Sequence, residues 1–145
     1  MKVREYSIVV FYDNHLNIAV QERGAFSKMG EKYAFWGGQR EDGETPQKAA
    51  IRELREELNY RPKELEYWGD YSFRITERGR YHGLLLNVSV FISPITLELE
   101  KARINEGSGL VKLSIDEVIQ ERGFLKGICS FMPKLKLILE KRVST

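Results

Sequence analysis

The sequence contains a single cysteine, Cys129, so no intrachain disulfide can form, and this cysteine usage suits a reducing compartment. It contains two histidines, His15 and His82, which lack metal-ligand spacing and are expected to be structural or exposed. Long apolar runs are also missing. The first, Ile8 to Tyr12, stops at Asp13-Asn14, too short for the apolar region of a signal peptide. No stretch approaches the ~20 apolar residues of a membrane helix. Neither sign of charge dominates: 23 basic residues face 21 acidic ones, a net +2, too even to predict binding to nucleic acid or membrane from bulk charge. Repeats, linkers and low-complexity tracts are absent. These absences lead us to expect a soluble cytoplasmic protein.

What is present is ordinary in amount, with 42% hydrophobic and 30% charged residues in 145, enough for one compact domain spanning 1–145. Ser7 to Tyr12 is rich in β-branched and aromatic residues and reads as a strand, with Leu16 to Glu22 returning after a turn. Gly24 to Lys32 reads as a loop. Tyr33 to Trp36 reads as a short strand halted by Gly37-Gly38, and Gln39 to Glu44 as a polar loop. Thr45 is a suitable N-cap and Pro46 a suitable first residue for a helix running to about Leu58, with Asn59 as a left-handed C-cap and Pro62 preventing resumption. Glu66 to Thr76 and Tyr81 to Ser93 read as strands joined by a turn at Glu77 to Arg80. The alternation of Leu97 and Leu99 with Glu98 and Glu100 suggests an exposed strand, and Leu110 to Leu113 another. Ser114 with Glu117 forms a capping box for Ile115 to Gln120, and Met132 to Arg142 reads as a final helix with Leu135, Ile138 and Leu139 on one face. The whole is one mixed α/β domain.

The central helix carries the most chemistry. At roughly 100° per residue, Glu53, Glu56 and Glu57 share an arc about 100° wide. Ala50, Ile51, Leu54 and Leu58 form the apolar stripe on one side of it, and Lys48, Arg52 and Arg55 lie on the other. Glu53/Glu56 and Glu53/Glu57 are like-charge pairs at helical spacing, near an end that already carries partial negative charge. A solvated helix laced with ion pairs accounts for this helix taken alone. A bound divalent cation accounts for it too, because hard cations favour several carboxylate oxygens.

Read outward, the helix extends into a longer pattern: Gly38, five residues, Glu44, seven residues, then Arg52-Glu53-Leu54-Arg55-Glu56-Glu57-Leu58-Asn59-Tyr60. This resembles the Nudix box. Gly38, Glu44, Arg52, Glu53, Leu54, Glu56, Glu57 and Tyr60 satisfy it, and Asn59 stands where the family has Gly. The resemblance implies a Nudix fold, a mixed sheet sandwiched between helices, and hydrolysis of a nucleoside diphosphate linked to another group with Mg²⁺ or Mn²⁺. It implies Glu56 and Glu57 as the main metal ligands, Glu53 as a further ligand or the base, and Arg52 as the residue that orients the carboxylates. Glu44 would fix the loop, and Gly37 and Gly38 would let the backbone approach the site. The chemistry is coherent in itself: metal neutralises the diphosphate charge that repels an attacking hydroxide and lowers the pKa of a bound water.

Outside the box, the resemblance implies a second carboxylate, as base or ligand; Glu106 is the candidate, set against a solvated loop glutamate, with Glu98, Glu100 and Glu77 as alternatives. Arg23 is a candidate phosphate contact, set against a surface arginine. Phe35 and Trp36 are candidates for stacking on a nucleobase, set against an ordinary core strand. Cys129 is expected to pack as a small apolar residue. The expected ligand is a small nucleotide: a nucleoside triphosphate, normal or oxidised, an NDP-sugar or an ADP-ribose type compound. A non-catalytic nucleotide sensor and an RNA-end processing enzyme are the alternatives. No nucleic-acid or membrane partner is expected, and a homodimer is compatible with the family.

Overall fold

The computed structural model describes residues 2–102 and 109–143. The elements run β1 (Val3–Tyr12), β2 (Asn17–Glu22), β3 (Tyr33–Ala34), β4 (Trp36–Gln39), α1 (Pro46–Leu58), β5 (Glu66–Arg74), β6 (Leu85–Pro94), α2 (Leu97–Glu100), β7 (Gly109–Ser114), α3 (Ile115–Ile119) and α4 (Met132–Val143). Among the described residues, seven strands form one mixed sheet with the path β3-β2-β1-β6-β5. β1 pairs in parallel with β6 along its whole length, from Val3 opposite Leu85 to Tyr12 opposite Pro94. Its other edge is shared between two antiparallel partners, β4 against Tyr6 to Val9 and β2 against Phe11 and Tyr12. β7 closes on the far edge of β2.

The run Ile8-Val9-Val10-Phe11 is buried residue after residue because β1 is covered on both faces. Val9 and Phe11 pack with Trp36 against Ala50, Leu54 and Leu58 of α1. Ile8 and Val10 pack on the opposite face, in the cluster that holds Val118 of α3 and Met132, Leu135 and Leu139 of α4. A sheet sandwiched between helices results, the architecture expected from the sequence.

Three expectations need correction. The expected Tyr33 to Trp36 strand is two: β3 ends at Ala34 against β2, and β4 starts at Trp36 and runs through both glycines to Gln39, opposite Tyr6 to Val9. The glycines serve close approach here, since a Cβ on Gly37 (φ +135°) would fall 2.0 Å from the Ser7 carbonyl oxygen. Leu97 to Glu100 is a short helix, not an exposed strand. Thr96 caps it by accepting from the Leu99 N–H at 3.1 Å. Leu99 is buried while Leu97 is 69% exposed, so the apparent period of two reflects a single inward residue. Finally, Tyr81 to Leu84 belong to the loop before β6, where Leu84 N–H donates back to the Tyr81 carbonyl. Glu106 lies outside the described residues.

Candidate active site

α1 is held where the sequence puts it. The Thr45 hydroxyl accepts from the Lys48 N–H, Pro46 opens the first turn, and Asn59 ends the helix in the left-handed conformation (φ 48°, ψ 43°). The Ser7 hydroxyl, fully buried on β1, donates to the Pro46 carbonyl at 2.8 Å and ties the helix start to the central strand. The acidic arc therefore faces β4 and its glycines.

Glu57 is the most deeply placed of the three acids, 4% exposed, and its Oε1 accepts from the Gly37 N–H at 2.9 Å. Glu53 lies against Gly38 so closely that a Cβ there would fall 2.5 Å from the Glu53 carboxyl carbon. The missing side chain of Gly38 is what makes room for this carboxylate. Glu56 is the outermost, with its side chain 57% exposed.

Arg52 links these acids to the preceding loop. Its Nε donates to Glu44 Oε2 at 2.7 Å and its Nη2 to Glu44 Oε1 at 3.0 Å, a two-pronged pair. Nη1 donates to Glu53 at 3.0 Å and to Glu56 at 3.3 Å, and Nη2 also reaches the Gln39 carbonyl at 3.0 Å. Glu44 in turn accepts from the Glu41 N–H at 2.9 Å. The Arg52 guanidinium holds the Glu44 carboxyl down at about 2, and Glu44 above all holds Arg52 protonated.

Glu53, Glu56 and Glu57 form one wall of a cleft of about 390 Å³, where Gly37, Gly38 and Gln39 also line it. The rest is largely apolar and aromatic, with Tyr6 and Ile8 of β1, Phe35, Val88 of β6, Tyr81 and Leu125 among the lining. Arg23 lines the cleft, with Nη1 donating to Gln21 Oε1 and Nη2 to the Phe26 carbonyl at 2.8 Å. Phe35 lines it too, its ring packed 5.4 Å from Phe124 and 5.8 Å from Phe131. Trp36 does not. Strand alternation turns it to the opposite face, where it is fully buried beneath α1, so the stacking expected of it is excluded.

The sequence reading missed Arg4, Tyr6, Tyr81 and Glu31. Arg4 and Tyr6 alternate with Glu5 on a strand read as beginning only at Ser7, so their common face went unseen. Glu31 Oε1 accepts from the Ser27 hydroxyl and the Lys28 and Met29 N–H groups, shaping a loop whose Lys28 and Met29 line the cleft. Nothing in the local pattern distinguished it from a solvated loop acid. Cys129 is buried as expected; burial, reinforced by nearby Glu121, pushes its thiol well above the ordinary range.

The donor set suits a hard divalent cation: carboxylate oxygens on one rigid helix, with Gly38 leaving room for the Glu53 carboxylate among them. Among the described residues, no three acid, histidine or cysteine side chains already converge on one ion-sized point. Phosphate oxygens of a substrate and water would complete such a shell.

The family model described as NUDIX domain matches residues 1–118. The chain belongs to the Nudix domain family. It is similar to proteins named 8-oxo-dGTP diphosphatase. The match with that of Proteus vulgaris is 45% identical over 49 residues, 34% of this chain and 44% of the relative. With that of Escherichia coli it is 30% identical over 78 residues, 54% of this chain and 60% of the relative. The chain therefore spans less than two thirds of either. A crystal structure of a MutT protein from Methanosarcina mazei superposes with a TM-score of 0.73 at 13% identity, covering 99% of this Nudix chain and 97% of the other. A C. elegans Ap4A hydrolase does so with a TM-score of 0.70 at 14% identity, covering 95% and 98%. At these identities the two structures establish likeness of fold. Nudix hydrolases generally use divalent metals, and Glu53, Glu56 and Glu57 are the residues here that would hold one.

Proposed function

We propose that this Nudix chain hydrolyses a phosphoanhydride bond in a nucleoside diphosphate linked to another group, using Mg²⁺ or Mn²⁺, and releases a nucleoside monophosphate. The observation that carries this reading is the Arg52-organised wall of carboxylates at the side of an aromatic-lined cleft. A diphosphate needs the first, and a nucleobase suits the second.

Bound metal would neutralise the diphosphate and acidify an attacking water. The chain's own residues do the rest. Glu53, Glu56 and Glu57 supply oxygen donors from one rigid helix. Arg52 is a positioning residue: it fixes the rotamers of Glu53 and Glu56 and clamps the Gln39–Glu44 loop through Glu44. Arg23, which lines the same cleft, would contact phosphate, and Phe35 would offer an aromatic surface for a base. The water oxygen forms a new bond to phosphorus as the anhydride P–O bond breaks, and the water proton passes to a carboxylate, either Glu53 or Glu106. The names of the curated relatives make oxidised purine nucleoside triphosphates the first substrates to test.

The experiment is a substrate panel with Mg²⁺ or Mn²⁺ over nucleoside triphosphates, 8-oxo-dGTP, NDP-sugars and ADP-ribose, with products separated by ion exchange. We expect a nucleoside monophosphate product that EDTA abolishes. Nucleotide binding without turnover of any of these compounds would refute the hydrolase reading.

A further inference from the structure

The cleft does not end at its apolar wall. Beyond Tyr81 it adjoins a second hollow of about 360 Å³, and Arg4, Tyr81 and Leu84 line both. Lys2, Arg4, Arg80 and His82 line this hollow, and no acidic residue does. The Tyr81 ring carries two cations: the Arg4 guanidinium lies 5.6 Å from its centroid and that of Arg80 5.7 Å.

Within this hollow no carboxylate faces these charges. Among the described residues, Lys2, Arg4 and Arg80 make no side-chain hydrogen bond or ion pair, and the two contacts over Tyr81 are what position the guanidinium groups. Glu5, next to Arg4 in sequence, projects to the other face of the sheet, where Asn87 donates to it at 3.3 Å. The loop carrying Arg80 and Tyr81 is itself fastened: Ile75 N–H donates to the Leu84 carbonyl at 2.9 Å and Gly83 N–H to that of Ile75 at 2.8 Å. Two guanidinium groups on one ring, with Lys2 lining the same hollow, repel, and an anion among them reverses the sign of that interaction. Arg4 also lines the main cleft with Glu53, Glu56 and Glu57, and the hollow of the Gln39–Glu44 loop with Glu5, Glu41, Asp42 and Glu44, so it lies between these acids and the basic pocket.

We propose that this basic pocket takes the terminal phosphates of the substrate, so that the group beyond the scissile bond is a free pyrophosphate and not a phosphate esterified to a sugar. The inference rests on the hydrolase reading and narrows it to nucleoside triphosphates over NDP-sugars and ADP-ribose. Arg4 and Arg80 receive the negative end of the chain through charge-assisted hydrogen bonds, and Lys2 adds a further positive charge.

The test has two readouts. Tripolyphosphate is titrated calorimetrically into the wild type and into Arg4→Gln, Arg80→Gln and Arg80→Lys proteins, after thermal melts confirm that each is folded. Each glutamine variant should bind ~10-fold more weakly, the loss expected of one charged hydrogen bond, and Arg80→Lys should keep part of the affinity. In turnover, the kcat/KM ratio of nucleoside triphosphate to NDP-sugar should fall ~10-fold in the glutamine variants, mainly through KM. Unchanged tripolyphosphate affinity in both glutamine variants would overturn the proposal, as would a wild type that prefers NDP-sugars. A dinucleoside tetraphosphate, whose chain ends in a second nucleoside, is the comparison substrate; turnover of it above the triphosphate would overturn the terminal-phosphate assignment. Absence of turnover with every anhydride would refute the hydrolase reading, while the titration would still judge the pocket by itself.

Discussion

Glu57 combines two properties that a bound cation would offset: it is nearly buried, and it lies beside two other acids near the negative end of a helix. One backbone N–H, that of Gly37, offsets part of this cost. Glu57→Gln keeps an acceptor for that N–H and removes the charge. Steady-state kinetics at fixed Mg²⁺ should show kcat lower by ~100-fold or more, with the far-UV circular dichroism unchanged. A fully active Glu57→Gln protein would refute the ligand assignment. Glu44 makes a different prediction. Its pair with Arg52 holds its carboxyl at about 2 in the folded protein, below the ordinary carboxylate value it takes when unfolded. A lowered folded pKa means that stability is fully present above the unfolded value and is lost as pH falls toward the folded one. Melting temperature should therefore fall more steeply in the wild type than in Glu44→Gln between about pH 5 and pH 2. Equal slopes would show that the pair contributes nothing to stability.

At the scale of elements, α1 matters because its rotation about its own axis decides which acids face the glycines. Both of its ends are set by local chemistry, the Thr45 hydroxyl at the start and the left-handed Asn59 at the end. Thr45→Ala should cost about 1 kcal/mol in chemical denaturation through the lost cap. Asn59→Val should cost about 1–2 kcal/mol, because a β-branched residue resists φ > 0, whereas Asn59→Gly should stay within about 0.5 kcal/mol of the wild type. An equal loss for Val and Gly would show that the backbone conformation at residue 59 is not what limits the helix. The bidentate pair from Arg142 on α4 to Glu66 on β5 (2.8 and 2.7 Å) is exposed and contributes little. α4 is held by Met132, Leu135 and Leu139 in the core.

At the scale of the molecule, the concentration of acids on one wall predicts a linkage between metal and stability. An ion that binds only the folded chain stabilises it by RT ln(1 + [L]/Kd), about 2.7 kcal/mol at a hundred times Kd. Mg²⁺ should raise the melting temperature in a saturable way, EDTA should reverse the rise, and Glu57→Gln should reduce it. A melting temperature indifferent to Mg²⁺ would argue against a preorganised metal site. The same fold separates charge by region, with the acids against α1 and β4 and the unpaired basic groups beyond Tyr81, although the net charge is only +2. Bulk charge conceals this polarity.

What the sequence by itself determined was local. The extent of α1, both of its caps, the capping box of α3 and the clustering of three glutamates on one arc all follow from short-range periodicity and side-chain-to-backbone bonding, and each is found as expected. The spacing from Gly38 to Tyr60 pointed to the family for the same reason, since it encodes one loop and one helix. Tertiary structure decided the rest. Whether Gly37-Gly38 ends a strand or lies within one depends on Ser7 and Glu53, distant in sequence, pressing against them. Phe35 and Trp36 are adjacent aromatics, and only the pairing of β4 with β1 turns one to the cleft and the other beneath α1. Arg4, Tyr81 and Arg80 come together because β1 and β6 run in parallel and a fastened loop folds back across them, a long-range register that no local pattern records.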